Sequence, residues 1–139
     1  MELYLSLACD SARQASSGTR IDVQGAFNDL FAPGFPAVQS HMVIVAGIEW
    51  DRSDDGSYRF RVDLLDPSGK PCLTVEGETQ VDPRAPDRPP ARTCLIMPVE
   101  NVVFPVPGRY RFSVRAKGRV LKGSALHLFR DPDAAPPAG

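Results

Sequence analysis

Cysteine, histidine and clustered carboxylates are the side chains that carry nucleophilic or metal chemistry, and here they lack the spacings that chemistry needs. The cysteines are Cys9, Cys72 and Cys94. An odd number with no C-x-x-C pair suggests neither a zinc site nor a complete disulfide framework, and suits a reducing compartment. The imidazoles, His41 and His127, fall in strand-like segments without H-x-H or H-E-x-x-H spacing. Cys9 or Cys94 could act as a nucleophile only beside a histidine and an oxyanion donor, and nothing in the sequence supplies either. A cysteine in a strand is ordinarily a small buried apolar residue. No catalytic, cofactor-binding or metal-ligating residue is assigned, and the chain is expected to be non-enzymatic with no cofactor.

Carboxylates offer one further possibility. Asp51, Asp54 and Asp55 share a loop, while Asp66, Asp131 and Asp133 lie near other strand ends. Converging at one end of a C2-like sandwich, such groups could ligate calcium. The alternative is turn chemistry, because an Asx side chain satisfies nearby backbone donors.

Charge is uneven along the chain. The formal net charge is −1, yet the segment 101–130 contains Arg109, Arg111, Arg115, Lys117, Arg119, Lys122 and Arg130 and no acidic residue. Whether that segment is neutralised internally is a question for the fold. Arg59, Arg61, Arg109, Arg111 and Arg115 occupy the outward phase of two alternating segments. If those segments share a sheet, they form a basic stripe suited to phosphates or a carboxylate-rich partner. Cross-strand pairing with Asp63, Glu76 and Glu78, which have the same outward phase, is the more ordinary outcome. No aromatic residues alternate with these arginines, so nucleic acid is not an expected partner.

The elements that must position these groups are strands. Tyr58-Arg59-Phe60-Arg61-Val62-Asp63-Leu64 alternates apolar and charged residues, as does the segment 109–117, and this period of two marks half-buried strands. Weaker versions cover 2–9, 20–27, 41–50, 72–81, 93–103 and 120–130, which makes about eight strands. Asp54-Asp55-Gly56, Asp66-Pro67-Ser68-Gly69, Pro107-Gly108 and Lys117-Gly118 supply turn residues between them. Connections this short cannot carry parallel crossovers, so the sheets are expected to be mainly antiparallel hairpins. The segment 9–15 could form at most one short helical turn capped by Asp10 or Ser11. The Pro-rich stretches around 32–36 and across 82–91 should be surface connections between sheets.

The inward phase supplies a core: Leu3, Leu5, Leu7, Ile21, Val23, Met42, Ile44, Ile48 and Trp50 from the first half. Tyr58, Phe60, Val62, Leu64, Leu73, Val75, Tyr110, Phe112, Val114, Leu126 and Leu128 complete it. The expected architecture is an all-β antiparallel two-sheet β-sandwich, Ig-like or C2-like. One domain spans 1–131, followed by a flexible Pro/Ala-rich tail over 132–139.

Composition removes other classes. With 139 residues, 42% apolar and 24% charged, the chain has the balance of a single soluble domain. No apolar run approaches the roughly 18 residues that cross a bilayer. The start, Leu3-Tyr4-Leu5-Ser6-Leu7-Ala8-Cys9, ends like a lipoprotein leader but lacks a basic flank and is too short for export, so a cytoplasmic location is expected. No Gly-rich phosphate loop or nucleophile elbow is present.

The Cys9-Asp10 pair closing the first strand, the Gly25-Ala26-Phe27 step, the Phe35-Pro36 bend and Pro107-Gly108-Arg109-Tyr110-Arg111-Phe112 follow one another along the chain. In this the chain resembles a family of small uncharacterised bacterial proteins. The resemblance implies a β-sandwich and no established activity, and it transfers no site residue. The expected function is binding of a protein partner through a sheet edge, the 82–91 loop or the basic face. The alternatives are a calcium-type sensor or enzyme built on the loop carboxylates, and a self-assembling structural subunit.

Overall fold

A computed structural model describes residues 1–16 and 20–134. Ten strands follow in chain order: β1 (Glu2–Cys9), β2 (Ser11–Gln14), β3 (Ile21–Gln24), β4 (Asp29–Ala32), β5 (Ala37–Glu49), β6 (Gly56–Leu65), β7 (Pro71–Val81), β8 (Arg92–Phe104), β9 (Gly108–Ala116) and β10 (Arg119–Arg130). They form a three-stranded sheet β1-β5-β8, a five-stranded sheet β4-β10-β9-β6-β7 and the separate pair β2-β3. The protein is all-β, with no helix among the described residues.

Strand pairing is antiparallel except where β4 runs parallel to β10. Two expected hairpins form, β6-β7 through Asp66-Pro67-Ser68-Gly69 and β9-β10 through Lys117-Gly118. In the latter both turn residues have positive φ, 56° and 70°, which matches the right-handed twist of the flanking strands. The other two expected hairpins do not form. Asp54-Asp55-Gly56 and Pro107-Gly108 instead carry the chain from the three-stranded to the five-stranded sheet, as do, in the opposite direction, the segments 33–36 and 82–91.

The helical turn expected over 9–15 is strand β2. Its Ala12, with Ile21 and Val23 of β3, packs on Cys9, Val43 and Val45, a burial that one helical turn would forfeit. The count rises from eight to ten because β2 takes the place of that turn and β4 lies where a loop was expected. Residues 135–139 of the expected tail lie outside the described residues.

A single core joins the two larger sheets. Met42, Ile44, Ile48 and Trp50 from one side meet Val62, Leu64, Tyr110, Phe112, Val114, Leu126 and Leu128 from the other. Leu3, Tyr58, Phe60, Leu73 and Val75 are half-buried around them. Each large apolar side chain fully removed from water contributes about 1.5–3 kcal/mol before ordering entropy is charged against it. β5 is buried on both faces, because Val43 and Val45 point away from this core into the layer made by β2-β3.

Candidate functional site

In the five-stranded sheet β6 and β9 are neighbours, and Arg61 stands directly opposite Arg115. Tyr110, Phe112, Val114 and Ala116 of β9 are buried, so by strand alternation Arg109, Arg111 and Arg115 point to the opposite, outer face. Arg59 and Arg61 alternate in the same way with Tyr58, Phe60 and Val62 of β6. The five arginines therefore share one face.

Pairing at home accounts for one of them. Arg61 Nε donates to both carboxylate oxygens of Asp63 at 3.1 and 3.1 Å, and its Nη1 lies 3.9 Å from Glu76 Oε1. Asp63 is only 1% exposed and also accepts from Thr74 Oγ1 at 2.6 Å. Arg59 faces Glu78 in register, but that carboxylate accepts from Ser57 instead. Among the described residues Arg59, Arg109, Arg111 and Arg115 have no ion pair or side-chain hydrogen bond. Within 101–130 Lys117 is the one cation with a counter-ion among the described residues. An open groove of ≈ 710 Å³ runs past Arg59, Arg61, Glu76, Glu78 and Arg115. A groove of ≈ 730 Å³ over β2-β3 holds one exposed pair, Arg13 and Asp22 at 3.5 Å, and no cluster of cations.

At the other end of the same face lies an aromatic row that sequence reasoning missed. Parallel pairing sets Phe31 of β4 beside Phe129 of β10. Their rings stack at 5.3 Å with 21° between planes, and His127 stacks on Phe129 at 6.2 Å. Phe31 is 52% and Phe129 45% exposed. His127 stands opposite Arg109 on β9, so the aromatic row continues the file of arginines. β10 alone signals Phe129; its partner strand β4 has no local signal.

The aspartate loop is occupied by cations of the chain itself. Lys117 Nζ lies 2.8 Å from Asp51 Oδ2 and 2.6 Å from Asp54 Oδ1, and the Met1 amine also meets Asp51. The Lys117 hydrogen bond, with the amine second, lowers the Asp51 pKa to about 2. The same contacts, led by Asp51, raise that of Lys117. Asp66 Oδ1 accepts from the Ser68 hydroxyl, the Ser68 amide and the Lys70 amide at 2.6, 2.9 and 2.9 Å, and Asp131 accepts from the Asp133 amide. No group of three or more potential metal ligands converges among the described residues.

Two of the short motifs, Cys9-Asp10 and Gly25-Ala26-Phe27, meet in space, and the other two are local features. Asp10 N donates to the carbonyl of Gly25, Phe27 N donates to Ala8, and Gly25 has φ +65° with the Asp10 carboxylate where a Cβ would stand. Phe35-Pro36 is a cis peptide, and Tyr110 Oη donates to the Val106 carbonyl at 2.6 Å while accepting from the Val106 amide at 3.2 Å. A family model, Family of unknown function (DUF6941), matches residues 4–129, from β1 to the penultimate residue of β10. The chain belongs to DUF6941. No curated protein matches it.

In this DUF6941 member the two nucleophile candidates lie in the three-stranded sheet, Cys9 buried in β1 and Cys94 half-buried in β8. Cys9 is fully buried, and its thiol is raised first by desolvation and then by Asp10. Burial also raises Cys94, and pushes Cys72 up to about 11 with help from Asp66. Protonated thiols are poor nucleophiles. His41 lies in β5 and His127 in β10, both half-buried. Among the described residues no helix is long and apolar enough to cross a membrane.

Proposed function

We propose that this DUF6941 chain is a non-enzymatic accessory module that binds a protein partner through the basic outer face of its five-stranded sheet. The observation that carries this reading is Arg115, opposite Arg61 and without a carboxylate of its own. Like charges directly opposite across strands are destabilising. Asp63 and Glu76 neutralise Arg61 within the chain, and an anionic partner would do the same for Arg115. The net charge of −1 disfavours a long polyanion such as nucleic acid, which would also meet the acidic remainder of the molecule.

Within this reading the architecture is an immunoglobulin-like sandwich. Two observations support it: the division into β1-β5-β8 and β7-β6-β9-β10 ladders, and the Tyr110 hydroxyl clasping the backbone four residues upstream at the start of β9, the position of a tyrosine corner. The setting is the bacterial cytoplasm, where three free thiols persist. A calcium-type role for the aspartate loop draws no support from Asp51 and Asp54, whose oxygens already hold Lys117.

The test is affinity capture of the tagged chain from its native cell, beside the charge-reversed variant Arg109→Glu/Arg111→Glu/Arg115→Glu, with circular dichroism confirming that the variant folds. A stoichiometric protein that the wild type retains at low salt, and that the variant and high salt both lose, is the expected result. Identical recovery by wild type and variant would overturn the reading.

A further inference from the structure

We infer that the segment bound by this face is an extended acidic peptide carrying one aromatic anchor, laid along β9 with the anchor on the Phe31–Phe129 pair and its carboxylates on Arg109 and Arg111. The inference rests on the proposed protein-binding role of the face and specifies its ligand. Three observations join to give it. First, Arg109 and Arg111 are successive outward residues of one strand, and neither has a counter-ion among the described residues. Alternate residues of a strand repeat every ~6.6–6.8 Å, the same repeat an extended peptide gives its own alternate side chains. An acid at every second position can therefore meet the arginines one to one, with the bidentate geometry guanidinium offers a carboxylate.

Second, Phe31 and Phe129 hold each other in a stacked pair while remaining half-exposed. Ring faces left open in this way accept a third ring in offset or edge geometry. Third, the cross-strand register sets His127 against Arg109, so the aromatic pair lies at the end of the arginine file rather than on another side of the molecule. The anchor thus precedes or follows the acidic run in a single extended segment. A second copy of this face is a poor occupant, because it would set arginine against arginine.

The probe is a fluorescently labelled peptide of about nine residues that alternates glutamate with threonine and carries a terminal tryptophan, followed by anisotropy at low salt. Arg109→Ala/Arg111→Ala should weaken binding at least about tenfold. Phe129→Ser should weaken it about fivefold, and replacing the tryptophan of the peptide by alanine should cost the same. All three substituted side chains are at the surface or half-buried, and circular dichroism checks their folding. Equal binding of the lysine-for-glutamate peptide, of the tryptophan-free peptide, or of an oligothymidylate of equal charge would overturn the inference. So would a concentration-dependent dimer abolished by Arg109→Ala/Arg111→Ala. If the charge-reversed variant loses its captured partner while the peptide does not bind, this inference falls alone. If capture is also unaffected, the reading beneath it falls with it.

Discussion

Arg61 and Arg115 face each other across the β6-β9 ladder, and the nearby carboxylates, Asp63 and Glu76, both lie against Arg61. Those carboxylates screen Arg61, so Arg115 meets a weakened repulsion and has no ion pair of its own among the described residues. Replacing it by threonine should stabilise the fold by about 0.2–1 kcal/mol at low ionic strength. Urea unfolding of Arg115→Thr checks this, and the gain should shrink at high salt as screening removes the repulsion it relieves. A loss of stability would mean that Arg115 is satisfied within the chain.

Tyr110 is fully buried and its hydroxyl both donates to and accepts from the backbone of Val106. Tyr110→Phe keeps the ring, and its edge contact with Phe104, but strands two backbone groups. The expected cost is roughly 1–3 kcal/mol, read as a lower urea midpoint with an unchanged slope.

Asp51 has its pKa lowered to about 2, first by the Lys117 hydrogen bond. A depressed carboxylate contributes stability that is fully present above the unfolded value of roughly 3.9. That contribution is lost as pH falls through the folded value of about 2. Lys117 is raised, so its share is complete below roughly pH 10.4 and disappears as pH rises through the higher folded value. Thermal melts across both limbs should show the two losses, and Lys117→Met should diminish the acid limb and reduce the alkaline one, to which the three raised thiols also contribute.

The thiols of Cys9, Cys72 and Cys94 are all raised by burial. Alkylation by iodoacetamide at pH 7.5 should be slow for the native protein and become fast and complete in denaturant, followed by mass. Rapid native labelling of a single cysteine would point to a nucleophile that the geometry does not show.

β6 and β9 were legible from sequence because each has one face in the core and one in water, and alternation records that difference residue by residue. The arginine face followed from the phase of those two strands once they proved to be neighbours. β5 was only half legible: Val43 and Val45 are as buried as Met42 and Ile44, since the β2-β3 layer covers the side that alternation assigns to solvent. β4 was not legible at all. Its four residues are a strand only because β10, nearly a hundred positions later, lies beside them, and no local pattern encodes a partner that distant. The aromatic row was missed for the same reason, since Phe31 acquires its meaning from Phe129.

The brevity of β4 also sets a timescale. Four residues pair it, on one side, to the rim of the five-stranded sheet, whereas β5 is sealed on both faces. Amides of β5 exchange with solvent only when the whole molecule opens, but those of Leu30 and Ala32 can exchange through a small excursion of the rim. Each such excursion separates Phe31 from Phe129. A ligand held by both rings must wait for the rim to be closed and then keeps it closed. Hydrogen exchange at Leu30 and Ala32 would therefore slow on binding while that of β5 stayed where it was.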